Sequence, residues 1–289
     1  FIFSSKKMQN RTYNDFVHEA KQYESICKRY KETGEVFVDK AFHPVLNIQE
    51  DPQEIRPFNP QLHKWIRIDE YFKSPLFADD LIEPNAVKQG EIGDCYLLAA
   101  LSRIARQPNL VPLLFDTETP NRILGEELES INIKCGAVVV KFHAFGRETP
   151  ILIDTLIPFR RGTRIPRFSR PRDIQYSAWF LLVEKAFAKL NGSYSAICGG
   201  QFSSTFYSIF GYYPSTKRVT PIVVNGKTTK VVDFDRLQKF LNRGATLGCS
   251  IQRQLLQTPV TEEELLDMGL CEYHSYLIQN VVNIDGHKL

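Results

Sequence analysis

The sequence predicts an α+β fold, with helices concentrated in the first part of the chain and strands in the second. Three observations lead there. DCYLLAALSRIAR (94–106) and YSAWFLLVEKAFAKLNG (176–192) carry apolar residues at helical spacing. GAVVVKFHAF and PILIDTLI are rich in β-branched residues, as are VTPIVVNGKTTKVV, ATLGCSIQ and HSYLIQNVVNI beyond the Gly199–Gly200 pair.

In chain order, Tyr13, Phe16, Val17, Ala20, Tyr23, Cys27 and Tyr30 fall three and four apart, which predicts one amphipathic helix over 12–33, capped by Thr12 and Asp15 and stopped by Gly34. Pro44, Pro52, Pro57 and Pro60 then mark ordered loop, and WIRIDEYF reads as extended chain. A buried helix starts at or beside Cys95, and Pro108 and Pro112 close its neighbourhood. The runs at 136–157 read as a hairpin split at GRET, followed by a basic loop from Arg160 to Arg172 and a helix stopped by Gly192. Asn225-Gly226 is a hairpin turn, DFDRLQKFLNRG a short helix, and the last two runs are strands. The expected organisation is an N-terminal helical segment (1–35), a helical subdomain carrying Cys95 (36–200) and a β-rich one carrying His274 (201–289).

Thirty-six basic against 33 acidic residues give a net charge of +3, too small to announce nucleic acid or an anionic membrane as partner. No apolar run reaches the roughly 18 residues of a membrane span, so a cytoplasmic protein is expected. The six cysteines form no C-x-x-C pair, which argues against a zinc cage or a disulfide framework, and most are expected to be buried thiols. The chain lacks an initial Met and stops in what reads as a running strand, so a fragment of a longer protein is expected.

KQGEIGDCYLL (88–98) places a cysteine at a helix start, where unpaired backbone N–H groups favour the reactive thiolate form of sulfur. Acyl transfer needs that sulfur, a histidine to exchange protons with it, and donors for an oxyanion. Cys95 with its backbone N–H and the Gln89 amide can supply the first and last, with Gly90 and Gly93 letting the backbone bend. Among the histidines, His18, His43, His63 and His143 read as surface or packing residues, whereas His274 opens a strand after a loop and can project into a cleft. On chemistry alone, a buried structural thiol at Cys95 is as open a reading as a reactive one, and an ordinary cleft-rim residue remains the default for His274.

QGEIGDCYLLAAL resembles the active-site segment of the calpain-like cysteine proteases, Q-G-x-x-G-D-C-W followed by an apolar helix. ILIDTLIP, WFLLVEKAFAKLNGSYSAICGG, TLGCSI and EYHSYLIQNVV resemble further segments of that family in the family's order, from about Trp65 to Leu289. The resemblance implies a papain-like fold with the active-site cleft between the two subdomains, and an extended protein substrate. It implies Cys95 as nucleophile, His274 as general acid and base, and Gln89 as oxyanion donor in an endopeptidase that makes limited cuts. The alternatives are a catalytically silent relative that binds protein partners and, more distantly, a transglutaminase-like acyltransferase.

Four departures from the family pattern stand out. Tyr96 replaces the tryptophan after the nucleophile, and Glu272 and Tyr273 replace small residues before the histidine. The family's catalytic asparagine, in an N-P-W segment, falls beyond Leu289, and neither Asn280 nor Asn283 is its equivalent. The acidic positions that hold the first calcium ion in calcium-dependent members correspond to Ala86 and Ser177, so no cofactor is evident and first-site ligands are absent, while calcium stays open through a second family site in the β subdomain, mostly past Leu289.

Overall fold

The computed structural model describes residues 11–42, 61–72, 87–107, 110–115, 134–172, 178–212, 214–215, 222–224, 227–229, 234–251, 260–272, 274–284 and 287–288. The prolines at 44, 52, 57 and 60 and His43 lie outside them. Thr12 caps α1 (Tyr13–Ala20): its N–H and Oγ1 both donate to Asp15 Oδ2, at 2.6 and 2.8 Å. The next helix, α2 (Tyr23–Thr33), ends on Gly34 at φ 73°, as its sequence predicts. Between them the chain turns at Lys21–Gln22, where the expected single helix is broken. Two apolar clusters take up this region, for Phe16 joins the main core while Ala20 and Tyr23 pack with Cys135, Ala137, Val139 and Leu152.

WIRIDEYF is extended only in part, forming the end of β1 (His63–Arg67) and then the short α3 (Ile68–Tyr71). His63 is buried at the start of β1, a packing position. After β2 (Val87–Lys88) comes α4 (Cys95–Ile104), which buries Tyr96, Leu97, Leu98, Ala100, Leu101 and Ile104. Each of its large apolar side chains contributes roughly 1.5–3 kcal/mol on burial. The longest strands lie in the first part of the chain: β3 (Ala137–Ala144) pairs antiparallel with β4 (Arg147–Asp154). Their turn is Phe145-Gly146 and not GRET, with φ 53° and 76°, so Arg147, Glu148 and Thr149 belong to β4. Two consecutive left-handed residues match the twist of the strands and make the two-residue loop preferred to a four-residue one.

Strand β5 (Leu156–Arg160) pairs with β1, and β6 (Arg170–Pro171) pairs with β2, setting Lys88 opposite Arg170. Helix α5 (Trp179–Asn191) is buried from Trp179 to Leu190, polar residues included, and ends on Gly192. Its lysines are compensated. Lys185 Nζ pairs with Asp154 and donates to Leu156 O at 2.7 Å, and Lys189 Nζ donates to Asp39 Oδ2 at 2.7 Å and Leu152 O at 2.6 Å. Beyond the Gly199–Gly200 pair, α6 (Phe202–Phe210) packs on α4 and β3, with Phe206 and Ile209 in the main core.

The second part holds small sheets. Strands β7 (Ile222–Val224) and β8 (Lys227–Thr229) pair with Val224 opposite Lys227; the turn expected at Asn225-Gly226 lies outside the described residues. Helix α7 (Phe234–Asn242) is followed by β9 (Leu247–Ser250), α8 (Glu262–Asp267) and β10 (Ser275–Ile278), and β10 pairs with β9. The strand expected over HSYLIQNVVNI is therefore split into β10 and β11 (Asn283–Ile284), the latter turning back onto β12 (His287–Lys288). Only Cys135 is buried among the six thiols; Cys27, Cys95 and Cys198 are half-buried and Cys249 and Cys271 exposed, against the expectation of mostly buried cysteines. Among the described residues, no helix is long and apolar enough to cross a membrane.

Candidate active site

The segment before Cys95 is clamped from both sides. Gly90 lies so close to Phe168 that a Cβ there would sit 1.7 Å from its carbonyl oxygen. Beside it, the Glu91 N–H donates to Arg167 O at 3.1 Å. The Glu91 carboxylate takes Arg160 Nε at 3.0 Å and the buried Arg167 Nε at 2.8 Å, and these guanidinium groups outweigh burial and hold its pKa below the usual value. Gly93 O accepts from Gly199 N at 2.8 Å, and a Cβ on Gly93 would press on Cys198 Sγ at 3.3 Å. Neither Gly90 nor Gly93 has positive φ, so the glycines serve close approach and not the sharp bend that the sequence suggests.

Asp94 is the N-cap of α4, and its backbone carbonyl accepts from Leu97 N at 2.8 Å and Leu98 N at 3.1 Å. Its side chain does not cap the helix. The Asp94 carboxyl is fully buried within hydrogen-bond reach of the Glu184 carboxyl, and no other donor among the described residues meets its oxygens. Burial pushes Asp94 up to about 6, and burial with the facing Asp94 charge pushes Glu184 well above the carboxylate range. Two carboxyls this close in a buried site favour one proton held between them.

Cys95 is the first residue of α4, so its backbone N–H has no acceptor within the helix. The Gln89 Nε2 donates one hydrogen to Ile92 O at 2.7 Å, which orients the amide and leaves its second hydrogen. His274 immediately precedes β10, its ring edge-on to Tyr276 with centroids 5.0 Å apart. Tyr276 is itself tied down, its hydroxyl accepting from Cys271 N at 2.5 Å. Because β10 packs against α4, Gln89, Cys95 and His274 line one open cavity of about 430 Å³. Ala86, Ser177 and Tyr273 lie outside the described residues. Among the described residues, no group of three or more His, Cys, Asp or Glu side chains is arranged to hold a metal ion.

Comparison with known proteins places the chain in a family. The family described as calpain family cysteine protease matches residues 37–288. The chain belongs to the calpain family of cysteine proteases. It is 27% identical to the calpain-1 catalytic subunit of Sus scrofa over 96% of its own length and 36% of the relative's. It is 28% identical to a calpain of Schistosoma mansoni over 92% of its length and 32% of the relative's, and 30% identical to calpain-A of Drosophila melanogaster over 92% and 29%. The chain thus spans about a third of the length of these relatives.

Within this calpain-family chain, Tyr96 at the departure from tryptophan is buried and donates through its hydroxyl to Ile197 O at 2.9 Å. Its ring also explains Gly200, where a Cβ would sit 2.4 Å from Tyr96 Cζ. The cleft has more walls than the sequence reading named. Leu98, Ala99 and Ser102 line it beside Cys95, with Ser275, Tyr276, Leu277 and Gln279 opposite and Arg172 at one side. The helical wall was legible, because positions 95, 98, 99 and 102 form one helix face. Arg172 carried no comparable local signal.

Proposed function

We propose that the chain is the protease core of an intracellular, cytoplasmic cysteine endopeptidase, with Cys95 as nucleophile, His274 as acid and base, and Gln89 as oxyanion donor. A single observation carries the reading: His274, about 180 residues away in sequence, lines the same cavity as Gln89 and Cys95. His274 takes the Cys95 thiol proton as the sulfur attacks the scissile carbonyl, and the oxyanion accepts hydrogen bonds from the second Gln89 N–H and the Cys95 N–H. The carbon–nitrogen bond breaks and the amine leaves with the proton from His274. Water, deprotonated by His274, then hydrolyses the thioester and restores the thiol. The open cleft, between a first subdomain carrying Cys95 and a second carrying His274, suits an extended protein chain.

Ala86 offers no side-chain oxygen and Ser177 one hydroxyl at the positions where an acidic first site would need carboxylates, and a calcium ion takes 6–8 oxygen ligands. The test is labelling of the full-length protein by an epoxide peptide. Modification of Cys95, lost in Cys95→Ser and slowed in His274→Ala, is expected. Absence of labelling and of cleavage in the intact full-length protein favours instead a silent, partner-binding relative.

A further inference from the structure

Beside the catalytic cleft lies a second cavity, of about 360 Å³, lined by Tyr71, Lys88, Arg164, Arg170 and Arg172 among others. Arg172 lines both cavities, so the two adjoin. The basic loop of 160–172 supplies three of these cations, and five of the loop's six arginines divide into two groups. Arg160 and Arg167 turn to Glu91 and lock the segment before Cys95. Among the described residues, no carboxylate lies within ion-pair distance of Arg164, Arg170, Arg172 or Lys88.

Pairing of β2 with β6 sets Lys88 directly across from Arg170. Like charges opposite each other on a ladder repel, and an anion between them would turn that cost into binding energy. Arg164 extends over the Tyr71 ring, 5.7 Å from its centroid, which keeps its guanidinium at the cavity. Gln89, the neighbour of Lys88, already lines the catalytic cleft, so a chain crossing that cleft passes the basic cavity.

We propose that this cavity is a specificity subsite for an anionic side chain of the substrate, a carboxylate or phosphate a few residues from the scissile bond. The inference rests on the protease reading above. It makes acidic or phosphorylated segments of proteins the preferred sites of cutting.

The test uses the full-length protein and peptides of one cleavable sequence, carrying Ala, Asp, phosphoserine or Lys at successive positions on either side of the bond. At one or two positions the acidic peptide should have about tenfold higher kcat/KM than the Ala peptide, the scale of one charge-assisted contact. The preference should weaken as salt is raised. Arg164→Glu combined with Arg170→Glu should bring the acidic-to-neutral ratio to one or below, with unchanged circular dichroism. Preference for phosphoserine alone identifies phosphate as the anion, and preference for both identifies charge itself. Cleavage of all peptides at equal rates, or a preference that both substitutions leave intact, overturns the subsite. If no peptide is cut, the protease reading fails separately. Fluorescence anisotropy of labelled acidic and neutral peptides on the same protein then decides the subsite, and equal affinities reject it.

Discussion

The carboxyl groups of Asp94, at the N-cap of the helix that opens with Cys95, and Glu184, in the middle of α5, face each other in a buried site. Both are raised, chiefly by burial, Asp94 from 3.8 to about 6 and Glu184 well above 4.5. Between about pH 4 and 6 and beyond, the unfolded chain releases protons that this native pair keeps, so the pair's contribution to stability is full below pH 4 and falls as pH rises through the folded values. Glu184→Gln preserves the acceptor for Ser169 N and offers Asp94 a permanent donor. Urea unfolding should show this variant gaining stability over the parent at pH 7.5 and losing that advantage by pH 4; the same difference at both pH values would refute a shared proton.

Lys185 is expected to be a costly residue to remove. Its ammonium is fully buried against Asp154 and Leu156 O, and Asp154 Oδ2 also accepts from Asp39 N at 2.8 Å. Lys185→Met leaves a buried carboxylate without its cation, which costs about 3–5 kcal/mol. Adding Asp154→Asn should recover part of the loss in denaturant unfolding. Additive losses would show that the two groups do not act as a pair.

Gly90→Ala should damage reactivity more than folding. The new Cβ, 1.7 Å from Phe168 O, forces the segment before Cys95 away from its support. A displacement on the order of 1 Å costs roughly 10²-fold in a positioned reaction. Epoxide labelling of Cys95 measures it, with thermal melting as the control, and labelling at the parent rate would contradict the clamp.

Gln89→Ala should lower kcat by about 10²–10³-fold, the usual loss for one oxyanion donor. Its bond to Ile92 O at 2.7 Å raises the question of a purely structural role. Alkylation of Cys95 by iodoacetamide separates the two, because that reaction forms no oxyanion. Slow hydrolysis with alkylation at the parent rate is expected, and equal slowing of both would assign Gln89 to structure.

Much of the local architecture was legible in the residues. Helices α4 and α5 announce themselves through apolar spacing and, for α5, the stop at Gly192; the caps Thr12 and Gly34 were equally plain. Where the reading slipped, a contact beyond the local pattern decided the outcome. The helix over 12–33 is interrupted at Lys21–Gln22, between residues that pack on Cys135, Ala137, Val139 and Leu152. The hairpin turns at Phe145-Gly146 because the register of β3 on β4 pairs Ala144 with Arg147. Helix α8 carries its own local start signal: Thr261 and Glu264 form a capping box, with Thr261 Oγ1 accepting from Glu264 N at 3.2 Å.

The sequence by itself determined the family, the order of most elements, and a cysteine at a helix start preceded by a glutamine, because periodicity, caps and motif spacing are properties of neighbouring residues. Only the tertiary structure decided that Gln89, Cys95 and His274 share a cavity and that Gly90 is needed for close approach. It likewise placed Glu91 between two arginines and Asp94 against Glu184. Packing of helices and strands brings these groups together across long stretches of chain, and burial then sets the charge that each can carry.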